Sequence, residues 1–229
     1  MRCFRLSHAG LVIEEGGNSL FIDAGDFTSA EQFDAAIRAS DPIAGLVITH
    51  EHSDHWTSAH VAAMRAAAPA APIFTTAATS RALSEAGITV GVHVVHEGDR
   101  HQVGPFSLEF YGHRHELLHS SIEVIDNVGV RVNEILAWGG DSLTRAPLVA
   151  EVLGVPIGSP WSNIAQVMDF VLTSAPRRVF LTHDGMLSER GVGLFKSRVQ
   201  WCLDQYGGEL LELPSIDADP GARLELTFG

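Results

Sequence analysis

ITHEHSDHW, residues 48–56, places three histidines and two acids within six positions, directly after the apolar run GLVIT (45–49). A turn that needed only solvation would use Gly, Asn, Ser or Lys. Neutral imidazole and carboxylate are instead the nitrogen and oxygen ligands of zinc and similar divalent ions. In an extended segment His50, His52 and Asp54 project to one side. As the chain turns toward a helix, His55 is redirected beside them. Four donors crowded in this way require a cation to offset their desolvation.

Outward from this stretch the pattern alternates between strand and helix. FRLSH (4–8), LVIEE (11–15) and LFIDAG (20–25) read as strands, the last two joined by a Gly-Gly-Asn turn. Residues 28–40 carry Phe33, Ala36 and Ile37 at helical spacing behind Thr28 or Ser29 as N-cap. GLVIT is a buried-type strand. Helices are expected over 57–68 and 77–87, with strands at 73–76 and 92–95. From about residue 101 come strands at 106–112, 121–126, 128–133 and 134–141. A helix is expected over 161–175, a strand over 177–183 and a last helix over 193–206. VITHE (47–51) and FLTHD (180–184) both end an apolar strand in Thr-His-acid, as two related α/β halves delivering ligands from strand C-termini would. No linker or low-complexity run divides the chain, so a single domain over 1–229 is expected.

Composition narrows the function classes. Hydrophobic residues make up 45% and charged residues 19%, as in soluble globular proteins. The net charge is −13, with only 15 Lys and Arg, which argues against nucleic acid as a partner. No apolar run approaches the roughly 20 residues that span a bilayer, and the N-terminal segment lacks a signal-peptide pattern. Two distant cysteines, Cys3 and Cys202, suit buried free thiols in a reducing cytoplasm.

H-x-H-x-D-H after a buried strand resembles the signature of the metallo-β-lactamase superfamily. The resemblance implies an α/β, four-layer αββα sandwich with a metal centre at one edge of its two sheets. It also implies the remaining site residues. Asp23 in LFIDAG matches an early acid that supports the metal loop, Asp141 in LAWGGDS a metal-bridging aspartate, and His183 in FLTHDG the last histidine of the second site. FYGHRHELLHS offers His113, His115 and His119; strand parity does not separate the first two, and the subgroup pattern G-x-x-H selects His115, with His119 in an outer position.

SHAGLVIEEGGNSLFIDAG, GSPW and RRVFLTHDGMLSERG are similar to the branch that contains L-ascorbate-6-phosphate lactonase. What this implies is a binuclear hydrolase using a metal-bound hydroxide on an ester or lactone of a small metabolite. His50, His52 and His115 would hold one ion, Asp54, His55 and His183 the other, and Asp141 both. Asp54 and His55 are the catalytic candidates, with Asp54 orienting the nucleophile and relaying its proton. Zinc is the first expectation for the two divalent ions, and manganese or iron also suits such ligands. His8, Trp56, Tyr111, His119 and Trp161 are candidates to line the pocket, and Arg114 is the nearest candidate for reading a phosphate. The implied partner is a small molecule, with neither nucleic acid nor membrane; self-association is compatible with the sequence. A phosphodiester substrate and a non-catalytic metal-dependent binding module are the alternative readings.

Overall fold

A hairpin turned at Gly16 and Gly17 sets the direction of the first sheet. Both glycines have left-handed φ (52° and 72°), which a two-residue turn matched to strand twist requires. In the computed structural model, which describes residues 1–226, the chain opens with the antiparallel strands β1 (Arg2–Arg5), β2 (Leu11–Glu15) and β3 (Asn18–Ile22). Three crossovers follow, through α1 (Ala30–Ala39), α2 (Ser58–Ala67) and α3 (Ala77–Glu85). They add the parallel strands β4 (Ile43–Ile48), β5 (Ile73–Thr75) and β6 (Val92–Val94).

The second sheet repeats this plan. β7 (Arg100–Val103), β8 (Phe106–Tyr111), β9 (Gly129–Val132) and β10 (Leu136–Trp138) run antiparallel. β11 (Val152–Pro156), β12 (Arg178–Thr182) and β13 (Glu209–Leu211) then run parallel, with α4 (Ile164–Ser174) and α5 (Glu189–Asp204) as crossovers. The short β14 (Leu224–Glu225) returns to pair with β1, completing the order β14-β1-β2-β3-β4-β5-β6 opposite β13-β12-β11-β10-β9-β8-β7.

Alternation along the strands builds the layers. On β2 and β3, Leu11, Ile13, Leu20 and Ile22 enter the core between the sheets with Phe106, Phe110, Val130 and Leu136. Val12 and Phe21 face the other way and pack with Phe33, Val61, Met64 and Leu83 of the first three helices. Leu153, Val155 and Val179 meet Val167, Val171, Val199 and Leu203 of α4 and α5. The result is the expected four-layer αββα sandwich. Helix starts are fixed by side-chain caps: Ser29 accepts from Gln32 N–H, Thr57 from His60 N–H, and Asn163 forms a capping box with Gln166.

One sequence expectation requires correction, and one strand went unread. Residues 121–126 form no strand; they belong to an irregular, largely exposed segment between β8 and β9. Its backbone serves the site instead, with the Ile125 carbonyl accepting from His115 N–H at 3.0 Å. Conversely, β11 is buried along its whole length although its sequence, VLGVP, carries a glycine and a proline. Gly154 is required there, because a Cβ would lie 2.9 Å from the Trp138 ring and 3.2 Å from Phe180.

Candidate metal centre

Parallel strands of both sheets end at one edge of the sandwich, and the donors follow those ends. His50 lies just beyond β4, His183 just beyond β12, and Asp141 three residues beyond β10. Gly140, with φ of +60°, turns the chain so closely over the first sheet that a Cβ would lie 2.5 Å from Asn127 Oδ1 and 2.6 Å from Thr49 Oγ1. Asn127 in turn accepts from the Asp141 N–H at 3.1 Å and donates to the Gly139 carbonyl at 2.8 Å. The Asp141 backbone is therefore fixed by a buried amide.

The donors form two groups. His50, His52, His115 and Asp141 each offer an atom within 4.8 Å of the others, and so do Asp54, His55, Asp141 and His183. Asp141 belongs to both. Its Oδ1 lies 3.0 Å from His55 Nε2 and 3.1 Å from His183 Nε2, while Oδ2 lies 3.3 Å from His115 Nε2. His50 Nε2 and His52 Nδ1 face each other at 3.1 Å. Ligands at about 2.0–2.2 Å from one ion stand roughly 3.0–3.5 Å apart, so these spacings suit a shared cation. Among the described residues, His55 Nε2, His115 Nε2, His183 Nε2 and Asp141 Oδ1 are buried without an aligned hydrogen bond. Buried polar atoms left so are costly, and a cation satisfies them.

Hydrogen bonds on the far side of each ring assign the tautomers. His115 Nδ1–H donates to the Glu116 carbonyl at 2.7 Å, which leaves the Nε2 lone pair free to ligate. His8 Nδ1 accepts from the Gly185 N–H at 3.0 Å, so its proton sits on Nε2 and donates to Asp54 Oδ2 at 3.3 Å. Asp23, fully buried, gathers four donors: Thr49 N–H and Oγ1–H at 2.8 Å each, Trp138 Nε1–H at 2.9 Å and His55 Nδ1 at 3.1 Å. Ser159 Oγ meets His183 Nδ1 at 3.0 Å, and Trp161 Nε1–H donates to Asp141 Oδ2 at 2.8 Å. His8, Asp23 and His183 all adopt left-handed φ (57°, 49° and 59°). Such strain costs about 1–3 kcal/mol per residue and gathers at functional sites.

The electrostatics call for positive charge at the centre. Burial opposes ionisation of Asp141, but His55 and the imidazoles touching it hold the carboxyl well below its usual range. Burial likewise opposes a charged His55, and Asp141 and Asp23 push it well above the usual histidine value. Burial and the neighbouring His55 keep His50 well below that value, and burial with the neighbouring His115 lowers His52. Burial also opposes a charged His183, and Asp141 and Asp54 raise it above the usual value. Ionised carboxylates that draw positive charge onto the imidazoles around them mark a place that a divalent cation would take, with those imidazoles then its neutral ligands.

A cleft of about 290 Å³ opens over these donors, lined in part by His52, Asp54, His115, Asp141, His183 and Trp161. A larger groove of about 490 Å³ lies along residues 144–150 and the end of α4, but none of the candidate ligands reaches it. The expected residues separate clearly. His115 is buried, whereas His113 is exposed beside Glu97. His119 is exposed and bonds to Ser121, outside the cleft lining. Tyr111 is buried away from the cleft, and Trp56 donates to the Glu51 carbonyl. His8 lies behind Asp54, its ring stacked on Phe27 at 4.1 Å and tilted against His183 at 3.8 Å. Arg114 is exposed and does not line the cleft. The sequence reading missed Thr49, Asn127, Trp138 and Ser159. Only the Trp-Gly-Gly-Asp run at 138–141 offered a local signal.

No family model matches the chain. It is 25% identical over 204 residues to Protein Rv0786c of Mycobacterium tuberculosis, covering 87% of this chain and 91% of that protein. Among solved structures, Igni18, a metallo hydrolase from the archaeon Ignicoccus hospitalis, superposes with a TM-score of 0.72 at 16% identity, covering 100% of this chain and 99% of that one. YhfI of Bacillus subtilis, a metallo-β-lactamase fold protein, gives a TM-score of 0.66 at 14% identity over 91% of this chain and 94% of its own. The chain has the metallo-β-lactamase fold. The donor cluster stands at one edge of the two sheets, where the sequence resemblance implied a metal centre. Among the described residues, no helix is long and apolar enough to cross a membrane.

Proposed function

We propose that the chain is a binuclear metal-dependent hydrolase acting on an ester or lactone of a small molecule. The observation that carries this reading is the pair of four-donor groups sharing Asp141 beneath a cleft of substrate size. His50, His52, His115 and Asp141 would hold one ion, and Asp54, His55, Asp141 and His183 the other. When bound, such a pair supplies Lewis acidity and lowers the pKa of water toward ~7.

The chain's own residues supply the rest. Asp54 is the carboxylate open to the cleft, with 16% of its side chain exposed against 3% for Asp141. It is placed to orient an attacking water and to pass on its proton. His8 Nε2–H holds Asp54 Oδ2 from behind at 3.3 Å, so the carboxylate keeps one orientation, and His183 Nε2 lies 3.3 Å from the same oxygen as a fellow donor to the second ion. His55 is buried against Asp23 and Asp141 and does not line the cleft, so its part is to hold the second ion. Trp161 covers Asp141 and limits water at the shared ligand. Zinc is the proposed metal, with manganese and iron as the other arms of the test.

A panel of small esters, lactones and phosphodiesters, assayed on protein reconstituted with each ion in turn, tests the proposal. Turnover of an ester or lactone that chelator abolishes and metal restores is expected. Hydrolysis confined to phosphodiesters would move the substrate class. Metal binding without turnover of any substrate would leave a binding module.

A further inference from the structure

Beside the donors, the cleft lining is largely apolar. Phe27, Leu118, Pro160, Trp161 and Met186 form this apolar part. Phe27, Leu118 and Met186 are 37%, 38% and 52% exposed, large apolar side chains gathered around one opening rather than scattered. Two of the five are tied to the centre itself: the Phe27 ring stacks on His8, and the Trp161 indole donates to Asp141. The remaining polar lining, Asp26 and Ser53, is turned on itself, with the Ser53 hydroxyl donating to Asp26 Oδ2 at 2.6 Å. No lysine or arginine lines the cleft among the described residues.

This lining decides between substrate classes. A phosphate or carboxylate held away from the metals needs a cationic partner to offset its desolvation, and here it would meet Asp26 instead. An apolar substituent would cover Phe27, Leu118 and Met186 and gain from their burial. At about 290 Å³ the cleft is at the small end of ligand sites, which run to roughly 300–1,000 Å³. We infer that the substrate is a small uncharged ester or lactone whose apolar acyl or alkyl group seats against Phe27, Leu118 and Met186, and that phosphorylated and otherwise anionic metabolites are excluded. The inference rests on the hydrolase reading for its reaction. Water oxygen bonds to the carbonyl carbon, the carbon–oxygen bond to the alcohol breaks, the alkoxide takes one proton and the acid product releases the other.

Two measurements on the metal-loaded protein test the inference. The first is kcat/KM for p-nitrophenyl acetate, butyrate and hexanoate, compared with the mono-p-nitrophenyl ester of adipic acid, which carries a terminal carboxylate. A rise of about threefold to fourfold per methylene is expected until the cleft is filled. The adipate ester should fall at least about tenfold below the hexanoate. Leu118→Ala and Met186→Ala should flatten the chain-length slope, and Met186→Lys should raise the adipate ester relative to the hexanoate.

The second is calorimetric binding of 2-butanone and 2-heptanone, neutral ketones that cannot be hydrolysed. The longer ketone should bind more tightly, and Leu118→Ala should remove the difference. Chain-length-dependent ketone binding without turnover of any ester would keep the apolar seat and overturn the hydrolase reading. A flat series in both measurements, or preference for the adipate ester, would overturn the inference.

Discussion

Gly25→Ala should disable the centre from a residue that offers no ligand. A Cβ built on Gly25 would lie 1.9 Å from the Asp54 carbonyl carbon, 2.1 Å from its oxygen and 2.3 Å from His55 N, all backbone atoms. Carbon atoms in contact sit about 3.5–4.0 Å apart, so one of the two segments must retreat by roughly 1.5 Å. The retreat is not free, because the Asp26 N–H is bonded to the Ser53 carbonyl at 2.8 Å, tying the segments together beside the clash. Asp54 and His55 are adjacent members of the second donor group. Metal–ligand distances tolerate only about ±0.2 Å. A displacement near 1 Å at a reacting centre costs on the order of 100-fold in rate. The variant should therefore lose the second ion, fall at least about 100-fold in ester turnover, and lose roughly 1–3 kcal/mol of stability to overpacking. Metal analysis of the purified variant, kinetics and a thermal melt measure the three effects. A Gly25→Ala protein with wild-type metal content and turnover would refute the packing argument.

Gly193 provides the opposite case, since it lies exposed within α5 and a Cβ there would meet nothing within 4 Å. Gly193→Ala should stabilise by about 0.5–1 kcal/mol and leave turnover unchanged, seen as a small rise in Tm. Asp23→Asn keeps the shape of the buried hub but turns an NH₂ toward donors, so metal affinity should fall about 10–100-fold in a competition titration with a chelator. Glu109→Gln should cost on the order of 1–3 kcal/mol in denaturant melts, because Arg131, with 6% of its side chain exposed, loses its carboxylate partner. Arg100 and Arg131 lower the Glu109 pKa against the opposing effect of its burial. That stabilisation is present above the unfolded pKa of about 4.3 and disappears as pH falls through the lower folded value, so the two proteins should converge in acid.

What the sequence made legible was whatever chemistry lies contiguous along the chain. His50, His52, Asp54 and His55 fall within one turn, and a dense donor run has few structural explanations. The hairpin at Gly16–Gly17 and the cap at Ser29 were equally local. Asp23, Asp141 and His183 needed the family resemblance, because their partners lie many residues away across two sheets. Trp138 and Asn127 left almost no trace: an indole bonded to Asp23 and an amide bonded to the Asp141 backbone look like ordinary strand-end residues in sequence. The choice between His113 and His115 could not come from strand parity, because the two share it, and the segment that carries them is not a strand. Residues 121–126 have β-branched side chains, yet they lie outside the ladder and present a backbone carbonyl to His115. β11 was hidden for the converse reason, since the glycine that would weaken an ordinary strand is here the space filled by Trp138 and Phe180.

The central claim, that the chain holds two ions on donor groups sharing one aspartate, is tested most directly by counting metal per chain. Protein should be loaded with zinc, manganese or iron, freed of excess ion by gel filtration and analysed by mass spectrometry beside Asp141→Ala. The account predicts about two equivalents in the wild type and less than about one in the variant, since both groups lose the same carboxylate. A single equivalent in the wild type, or two retained without Asp141, would contradict it.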